Sequence, residues 1–595
     1  MLLRRLACAL AALLAVAGGP AAVAQPIGSV LFVDADATGT ADGSSWADAF
    51  PDLQQALAVA AAGDEVWVAE GTYLPAEGGV VDRDASFVLV SGTALYGGFD
   101  GTEGARDERD PEVNVTILSG DLGVPDDLSD NAYHVVVASG VDESTVLDGF
   151  TVTGGNGNGA SPRNRGGGIY AENSSLVVRD CRIIENRVVQ TDGEGGGGGA
   201  FFGSGGTPRF ERVAFERNDG ALGGGLWLFE GVDAVVVDAA FVENTADSGG
   251  GINSNQSTLT VVGTSFVRNV ADRGGGGISV LIGSTHLLNA GFYGNVAEPG
   301  GAFGLSLGAG VNSSGPLTAT NVTFVGNMAE KAAGLSAGGN DGYLLTNVTF
   351  AANEALVEGG AVRISSGSDL LLRNSVLWGN GDEIAEVAGT STLRHVLVAG
   401  GCPPEATCEA LLDADPRFVR VPDPGPDGAW GTADDDYGDL RLRDDSPAID
   451  FGLTSFLPSD AFDLDGDGNT AEPLPLDLAG EARVVGASVD LGAYERPAPV
   501  AAESELAGPD AVTLGAYPNP ARGPVSVSLA LGRSQRVEVT VYDVLGRRVA
   551  RLHDGPLAAG HHALAFDASR LGAGLYLIRA IGDGFSAAQR VTTVR

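Results

Sequence analysis

The sequence has almost no lysine. Of its 35 basic residues, Lys331 is the only lysine, while aspartate and glutamate number 77 and leave a formal net charge of −42. A surface with this excess of negative charge repels nucleic acid and anionic lipid, so the sequence argues against both as partners. The charge fits a solvated exterior, uptake of Ca²⁺ or a saline habitat, and solubility is the first of these explanations.

Long hydrophobic runs are equally scarce. The one strongly apolar stretch runs from Leu6 to Ala17, behind Arg4 and Arg5 and ahead of Ala22-Val23-Ala24. This order of basic, apolar and small residues predicts a secretory signal peptide over residues 1–24. No other segment approaches the length of a membrane span. We therefore expect an exported chain with no transmembrane span.

Cysteine is rare, with four residues in the chain. Cys402 and Cys408 flank a Pro-Pro turn and could form a short-range disulfide in an oxidising compartment. Cys181 is expected to be a small buried side chain. The cysteines and histidines show no spacing typical of a metal site, so the sequence gives no support to transition-metal chemistry.

Glycine, in contrast, is abundant at 90 residues, and a short motif recurs among the glycines. In this motif an apolar residue, usually phenylalanine, precedes an asparagine by three positions. The pairs are Ile183/Asn186, Phe215/Asn218, Phe241/Asn244, Phe266/Asn269, Phe292/Asn295, Phe324/Asn327, Phe350/Asn353 and Leu377/Asn380. Such regular spacing indicates one structural unit stacked on itself, and the glycine runs exclude helical units.

Each repeat has two corners that flank a short strand. In Ser257–Gly277, Leu259 and Val261 alternate with more polar or outward positions, which is strand periodicity. The position three before the phenylalanine is Asn, Asp or Gly in every copy except Arg212, and these residue types tolerate left-handed backbone. The pattern predicts a parallel β-helix rung in which phenylalanines stack inside, asparagines form a hydrogen-bonded ladder, and Val267 faces outward and tolerates a polar replacement.

The paired FxxN and GG[AIL] motifs of residues 150–380 resemble the surface β-helices of the polymorphic outer-membrane protein type, within the pectin-lyase-like superfamily. The resemblance implies an all-β fold, a right-handed parallel β-helix. The GG motifs are Gly167-Gly168-Ile169, Gly224-Gly225-Leu226, Gly250-Gly251-Ile252, Gly300-Gly301-Ala302 and Gly359-Gly360-Ala361.

Both flanks of the repeat region carry further signals. Pro51–Ala62 is predicted to be a helix that caps the front end, and Val33–Tyr73 resembles the N-terminal cap of secreted β-helix proteins. Motifs from Asn374 to Glu495 resemble the choice-of-anchor domain that follows bacterial surface β-helices. The predicted parts are a signal peptide (1–24), cap and first strand (25–75), β-helix repeats (76–380), last rungs with the choice-of-anchor region (381–495), linker (496–509) and C-terminal domain (510–595).

The C-terminal domain is predicted to be a small all-β domain, because Val525, Val527 and Leu529 alternate as in a strand. Tyr517-Pro518-Asn519-Pro520, the segment 542–549 and Leu571–Tyr576 resemble the type A sorting domain of the type IX secretion system. This resemblance implies that the domain is an Ig-like β-sandwich and that the type IX machinery is a partner. It also implies that the protein is secreted or attached to the outer surface of the outer membrane.

The acidic segment 463–469 has the opening of a Ca²⁺-binding loop. Asp463, Asp465, Asp467 and Asn469 offer oxygen ligands at alternate positions, but the twelfth position, normally glutamate, is Leu474. We predict a structural Ca²⁺ at these four residues. The alternative is a hydrated acidic turn.

Catalytic residues cannot be assigned from the sequence. A lyase of the pectate type needs clustered carboxylates for Ca²⁺ and a basic residue that takes a proton from the sugar. His134, His286 and His395 each stand alone in apolar strands, as structural histidines do. The outward charged candidates differ in type from rung to rung, which indicates an ordinary solvated face; they are Glu185, Arg187, Glu216, Arg217, Glu243, Arg268 and Glu354.

The leading functional hypothesis is therefore non-catalytic: adhesion or glycan binding at the cell surface, with an extracellular polysaccharide as partner. The alternative is a polysaccharide lyase or glycoside hydrolase acting in a groove of the β-helix. The feature that separates them is whether three or more carboxylates and an arginine converge on adjacent rungs.

Overall fold

The computed structural model describes residues 28–76, 81–190, 195–298, 307–339, 341–496, 512–517, 519, 521, 523–543, 548–571, 574–582 and 585–593. The predicted signal peptide and the linker from residue 497 onward lie outside the described residues. So do the motif Gly300-Gly301-Ala302 and parts of the three sorting-type motifs.

Most of the chain forms a parallel β-helix, in which each strand pairs in parallel with its counterpart one rung away. A central sheet runs through the whole rod. Its strands are Val30–Val33, Glu65–Ala69, Ala94–Phe99, Val146–Asp148, Val177–Arg179, Arg209–Glu211, Asp233–Val237, Ile252–Val262, Ile278–Leu288, Leu317–Val325, Gly342–Ala351, Asp369–Trp378, Thr390–Val398 and Thr407–Leu412.

A second sheet, the phenylalanine sheet, follows the first corner of each rung. It consists of Gly71–Tyr73, Thr116–Ser119, Phe150–Thr153, Arg182–Ile184, Ala214–Glu216, Ala240–Val242, Ser265–Val267, Gly291–Tyr293 and the C-terminal parts of the four long strands that begin at Leu317, Gly342, Asp369 and Thr390.

The remaining two sheets close each rung. The glycine sheet contains Phe87–Val88, Val136–Val137, Ile169–Glu172, Ala200–Gly203, Leu226–Phe229, the N-terminal parts of Ile252–Val262 and Ile278–Leu288, Val311–Ser313, Leu335–Ala337, Val362–Ile364 and Ile384–Glu386. The corner sheet contains Asn156–Gly157, Arg187–Val188, Asp219–Leu222, Thr245–Ser248, Val270–Gly274, Val296–Ala297, Met328–Lys331 and Glu354–Glu358.

The repeated phenylalanines stack inside the rod, which confirms the predicted rung. From Phe215 to Phe350, successive rings lie nearly parallel, with centroids 4.6–4.9 Å apart. Each ring is fully buried. The spacing equals the distance between neighbouring strands, because each ring is carried by one rung.

The asparagines form the predicted ladder. The Asn269 Oδ1 accepts hydrogen bonds from the backbone N (3.1 Å) and Nδ2 (2.9 Å) of Asn244. The Asn269 Nδ2 donates to the carbonyl of Phe241 and to the Oδ1 of Asn295. The buried corner groups are thus satisfied without a strand partner. The ladder ends on the buried Glu383, whose carboxylate accepts from the Asn380 Nδ2 at 2.6 Å.

The corners have the predicted backbone conformation. All eight residues three positions before the apolar residue have φ between 46° and 60°, including Arg212 at 56°. Arginine is accommodated there because its guanidinium pairs with Asp180, the corner residue of the preceding rung.

Residues 418–494 form a cover layer that packs on the outside of the phenylalanine sheet. It contains the antiparallel strands Phe418–Arg420 and Asp439–Leu442 and a 3₁₀ helix, Thr454–Phe456. Its apolar residues and the outward residues of the phenylalanine sheet make a second core. Two hydrogen bonds connect the cover layer to the corners of the rod. The Nδ2 atoms of Asn374 and Asn321 donate to the carbonyls of Leu453 (3.0 Å) and Leu476 (2.8 Å), respectively.

The cover layer overturns the expectation for Val267. Its side chain does face out of the coil, but it is 0% exposed because it lies in the second core. The expectation that a polar residue is tolerated there is therefore wrong. A segment 150 or more residues downstream buries it, and the repeat itself holds no sign of that contact.

A buried ionic cluster holds the C-terminal end of the cover layer. The fully buried Arg483 donates from Nη2 to the carbonyls of Asp490 (2.9 Å) and Gly492 (2.8 Å). Its Nη1 lies 4.0 Å from the Glu495 carboxylate. Burial raises the pKa of Glu495 to about 8 despite the opposing charge of Arg483, so ionising this carboxyl works against the fold.

We expect the melting temperature to fall as the pH rises from 6.5 to 8. Because the pKa of Glu495 is raised in the folded state, its contribution is complete below the unfolded pKa and is lost as the pH climbs towards 8. Each pH unit below the folded pKa costs about 1.4 kcal/mol, because this carboxyl is protonated in the folded chain and ionised in the unfolded chain. Glu495→Gln should flatten the profile in thermal melts, whereas the exposed Glu354→Gln should not. A wild-type melting temperature that rises over this window would contradict the assignment.

The front cap and the cysteines complete the rod. The helix spans Leu53–Val59, shorter than the predicted Pro51–Ala62. Asp52 caps it by accepting from the Gln54 N at 2.9 Å. Cys402 and Cys408 form a disulfide, and Cys181 is buried. A further 3₁₀ helix spans Arg106–Glu108.

The C-terminal domain is an antiparallel sandwich of a three-stranded and a four-stranded sheet around its own core. Ala568–Arg570 forms a 3₁₀ helix. The strands are Val512–Tyr517, Pro524–Leu531, Gln535–Asp543, Arg548–Leu557, Gly560–Asp567, Gly574–Gly582 and Phe585–Thr593. Within the described part of the chain, no helix is long and apolar enough to cross a membrane.

Candidate functional site

The outward side of the central sheet is the candidate binding surface, here called the open face. Its side chains alternate with core residues such as Leu259 and Leu287, and register places Thr260, His286 and Thr318 in one row across three rungs. The members of the open face are exposed or half-buried: Asp233, Val235, Thr258, Thr260, Ser284, His286, Thr318, Leu344, Leu371 and Thr392.

A shallow cleft of about 360 Å³ lies at one edge of the open face. Three successive rungs contribute to it. Its polar lining residues are Asp233, Gln256, Ser257, Thr258 and Ser284. The cleft thus offers the Asp233 carboxylate, the Gln256 amide and the hydroxyls of Thr258 and Ser284 to a ligand, whereas the Ser257 hydroxyl is buried and donates to the Asn255 carbonyl. Asp233 is the one acidic residue among its lining residues.

His286 lies beside this cleft on the open face. Its Nδ1 is 2.8 Å from the Thr318 Oγ1. Burial lowers the pKa of His286, and the negative charge of Asp233 opposes that shift. Burial likewise raises the pKa of Asp233, against the charge of His286. The two side chains are therefore close enough to influence each other.

The other two histidines fill structural positions, as the sequence predicts. His134 is buried, stacks on Tyr170, and has its Nδ1 3.0 Å from the Gly166 carbonyl. The His395 Nδ1 lies 2.7 Å from the carbonyl of Phe451 in the cover layer. Neither one faces the cleft.

Three carboxylates and several arginines do converge on adjacent rungs, at the front of the rod. Asp148 accepts from the Arg109 Nη2 at 2.6 Å, and Asp180 accepts from the Arg212 Nε at 2.6 Å. The third carboxylate, Glu211, is 2.8 Å from the Arg179 Nε. The sequence analysis asks for three or more carboxylates and an arginine on adjacent rungs, and this cluster has them. Each carboxylate, however, is paired with a guanidinium.

In these pairs the arginines offset the negative charge of the carboxylates. Burial acts to raise the pKa of Glu211, yet hydrogen bonds and charge from Arg209 and Arg179 hold it below its ordinary value. A carboxylate held this way is compensated in charge. The arrangement links neighbouring rungs through ion pairs.

The outward charged candidates of the repeats also pair across rungs. Arg217 bonds Glu185 at 2.8 Å, Arg182 bonds Glu216 at 3.1 Å, and Arg268 bonds Glu243. Arg187 pairs with Asp219 at 3.1 Å, and Glu354 is exposed. Arg268 and Glu216 are buried, so this row is only partly the solvated face that the sequence predicts.

The acidic loop contains two carboxylate triads that share Asp465. Within each triad one oxygen from every residue lies within 4.8 Å of the others. The inner triad is Asp460, Asp463 and Asp465, and the outer triad is Asp465, Asp467 and Glu472. Of the residues that the sequence predicts, Asp463, Asp465 and Asp467 are thus brought together.

Asn469 is placed differently. Its Nδ2 donates to the Glu472 carboxylate at 3.3 Å, and its backbone carbonyl accepts from the Glu472 N at 3.5 Å. Leu474, at the twelfth position, is buried and offers no ligand.

Sequence reasoning missed Asp460 and did not include Glu472 among the ligands, because Glu472 falls two residues short of the twelfth position. In a twelve-residue Ca²⁺-binding loop that starts at Asp463, the last ligand would be residue 474, which is Leu474. Asp460 precedes the start of this loop. A hydrogen bond of 2.8 Å from the Asp460 N to the Glu472 carbonyl brings the two ends of the loop together. Burial and the negative charges of Asp465 and Asp463 raise the pKa of Asp460.

Two family models match this chain. Residues 127–297 match a model described as a right handed beta helix region, and residues 515–592 match a secretion system C-terminal sorting domain. This chain is an exported right-handed β-helix protein with a type IX sorting domain. The first match covers part of the rod, and the second covers most of the C-terminal sandwich.

Two lyases are among the solved structures that are similar to this chain. A pectate lyase, Pel9A, is 14% identical with a TM-score of 0.40, over 80% of this chain and 98% of that one. A rhamnogalacturonan lyase is 12% identical with a TM-score of 0.32, over 70% and 97%. No curated protein matches the sequence. These similarities carry no argument about activity.

Proposed function

We propose that this exported protein is a non-catalytic surface protein whose open face binds a neutral polysaccharide. The observation that carries the proposal is the cleft around Asp233, since it collects hydrogen-bonding side chains from three rungs. The sorting domain accounts for delivery of the rod to the cell exterior, where it is released or attached. The glycan would then bind to the open face, which remains accessible on the rod.

The other faces are less suited to an extended ligand. The cover layer buries the outward residues of the phenylalanine sheet. On the glycine sheet, the outward-facing Trp227 is 3% exposed and Phe201 is fully buried. The open face retains half-exposed side chains over successive rungs, so a linear polymer lying along the rod could contact several of them at once.

The chemistry of the open face fits sugars. Hydroxyl and amide groups from Gln256, Thr258 and Ser284 can exchange hydrogen bonds with sugar hydroxyls. Val235, Leu344 and Leu371 provide apolar contact area on the same surface. The net charge of −42 opposes anionic polymers and favours a neutral one. Ligand sites commonly combine an apolar surface with a few placed polar groups in this way.

The lining of the cleft argues against cleavage. Glycoside hydrolysis generally uses two carboxyl groups across the scissile bond, and Asp233 is the one carboxylate among the lining residues. The front cluster around Glu211 has the carboxylates, but arginines compensate them. Cleavage by the front cluster is the alternative that the experiment below must separate from binding.

We expect the full chain to bind a neutral glycan in an array of neutral and acidic polysaccharides with Ca²⁺ present. Asp233→Ala and His286→Ala should each weaken that binding about tenfold, since one lost charge-assisted hydrogen bond is worth about 1.4 kcal/mol or more. Asp272→Ala, an exposed aspartate outside the cleft, is the matched control. Binding that survives both cleft substitutions unchanged would contradict the assignment of the open face.

The same samples should be assayed for chain cleavage through reducing ends and unsaturated products. No product is expected from wild-type protein. If product appears and Arg179→Ala abolishes it, the lyase alternative replaces the binding function.

A further inference from the structure

We propose that Asp460, Asp463 and Asp465 form a Ca²⁺ site that holds the acidic loop of the cover layer. One oxygen from each of these three carboxylates lies within 4.8 Å of the others. The charged groups that act on Asp460 are the carboxylates of Asp465 and Asp463. This differs from the front cluster, where a guanidinium compensates each carboxylate.

Asp460 supplies a second, independent observation. Its side chain is 0% exposed, and its Oδ2 accepts a hydrogen bond from the Leu464 N at 2.8 Å. Its Oδ1 is buried and has no hydrogen-bond partner. A buried carboxylate oxygen without a partner is costly. A cation bound by the inner triad would satisfy it.

The donor set selects a hard cation with flexible coordination. All ligand groups are carboxylate oxygens, which suit Ca²⁺ or Mg²⁺ and not a soft metal. Gly466 and Gly468 have φ of 73° and 84°, so the chain turns sharply between the acidic residues. Mg²⁺ demands near-octahedral geometry and keeps its waters, whereas Ca²⁺ accepts six to eight oxygens from an irregular loop. The outer triad adds negative charge next to the same ion through Asp465.

Ca²⁺ bound by the inner triad would affect the rod through residues 458 and 474–476, where the acidic loop begins and ends. The Leu474 N donates to the Pro458 carbonyl at 2.9 Å and closes the loop. Two residues later, the carbonyl of Leu476 accepts from Asn321, a corner residue of the rod. Stiffening the loop should therefore strengthen the attachment of the cover layer in a calcium-containing exterior.

The test is titration calorimetry of the full chain, stripped with EDTA and titrated with CaCl₂. A dissociation constant of about 10⁻⁴ M is expected, at the tight end of the extracellular range, because one of the three ligands is buried and held. MgCl₂ should bind at least tenfold more weakly. Asp460→Asn should weaken Ca²⁺ binding at least tenfold, and the exposed Asp107→Asn should leave it unchanged.

Asp465→Asn is the second variant, since Asp465 is exposed and its replacement should leave folding intact. It too should weaken Ca²⁺ binding at least tenfold, and it should remove Ca²⁺ protection of the loop from limited proteolysis. Wild-type titrations without heat would overturn the proposal. So would binding that Glu472→Gln removes while Asp460→Asn leaves it intact, since that pattern places the ion in the outer triad.

Discussion

Phe266→Ala should destabilise the rod by about 3–5 kcal/mol, the cost of truncating a fully buried phenylalanine. The Phe266 ring stacks between Phe241 at 4.9 Å and Phe292 at 4.7 Å. Those two rings are fixed by their own rungs, so the cavity cannot collapse. Urea unfolding followed by circular dichroism measures the loss.

Substitutions at two neighbours of Phe266 give stability losses with which the loss for Phe266→Ala can be compared. Asn269→Ala should cost about 1–3 kcal/mol, because it removes the acceptor of the Asn244 backbone N and the side-chain donor to the Phe241 carbonyl in a buried corner. Val267→Ser should cost about 1–3 kcal/mol as well, since it buries a hydroxyl in the second core.

Exposed side chains of the same types serve as controls. Phe462 is 40% exposed and Val421 is 62% exposed. Phe462→Ala and Val421→Ser should change stability by less than about 0.5 kcal/mol. If Val267→Ser proves as harmless as Val421→Ser, the cover layer does not pack on the phenylalanine sheet in solution.

Removing residues 510–595 should abolish delivery to the cell surface while the rod remains folded. The reason is that the sorting domain, matched over residues 515–592, is the part that addresses the chain to the secretion machinery. It contacts the cover layer through Tyr517, whose ring packs in the second core against Tyr494 and Arg441, and it contacts the rod through Arg590. The Tyr517 hydroxyl accepts from the Leu440 N at 2.9 Å, and the Arg590 Nη1 donates to the Asp238 carbonyl at 2.7 Å.

Cell fractionation and protease shaving of intact cells measure this outcome. The truncated chain should accumulate in the periplasm, with the circular dichroism spectrum of a folded β-protein. A carrier protein fused to residues 510–595 behind the same signal peptide should reach the exterior. Truncated protein on the cell surface would show that the rod carries an export signal of its own.

The sequence alone was enough to predict the rung. The FxxN repeat places phenylalanine in the core and asparagine at the corner, and positions such as Asn289 and Gly263 adopt the left-handed backbone that their residue types favour. Stacked rungs contact only their neighbours, so the information that specifies each contact lies within one repeat length of sequence. The C-terminal strands were predictable for a similar reason, because their alternation is local.

The candidate sites were only partly predictable. The pattern DxDxDG indicated an acidic loop, but Asp460 and Glu472 join it through a backbone hydrogen bond between the two ends of the loop. The cleft beside His286 arises from register between rungs, in which Asp233, Thr258 and Ser284 stand in one row. The residues of the acidic triads and of the cleft are not adjacent in sequence. Local spacing therefore cannot predict that they come together.

Tertiary structure alone decided which face of the rod is available. The repeat pattern predicts that Val267 and Arg268 face outward. Both are nevertheless buried, because residues 418–494 fold back over the phenylalanine sheet. Arg483 is fully buried, and its Nη2 donates to the backbone carbonyls of Asp490 and Gly492. Packing between segments far apart in sequence depends on the shape of both surfaces, and strand periodicity reports only which side of the coil a residue faces.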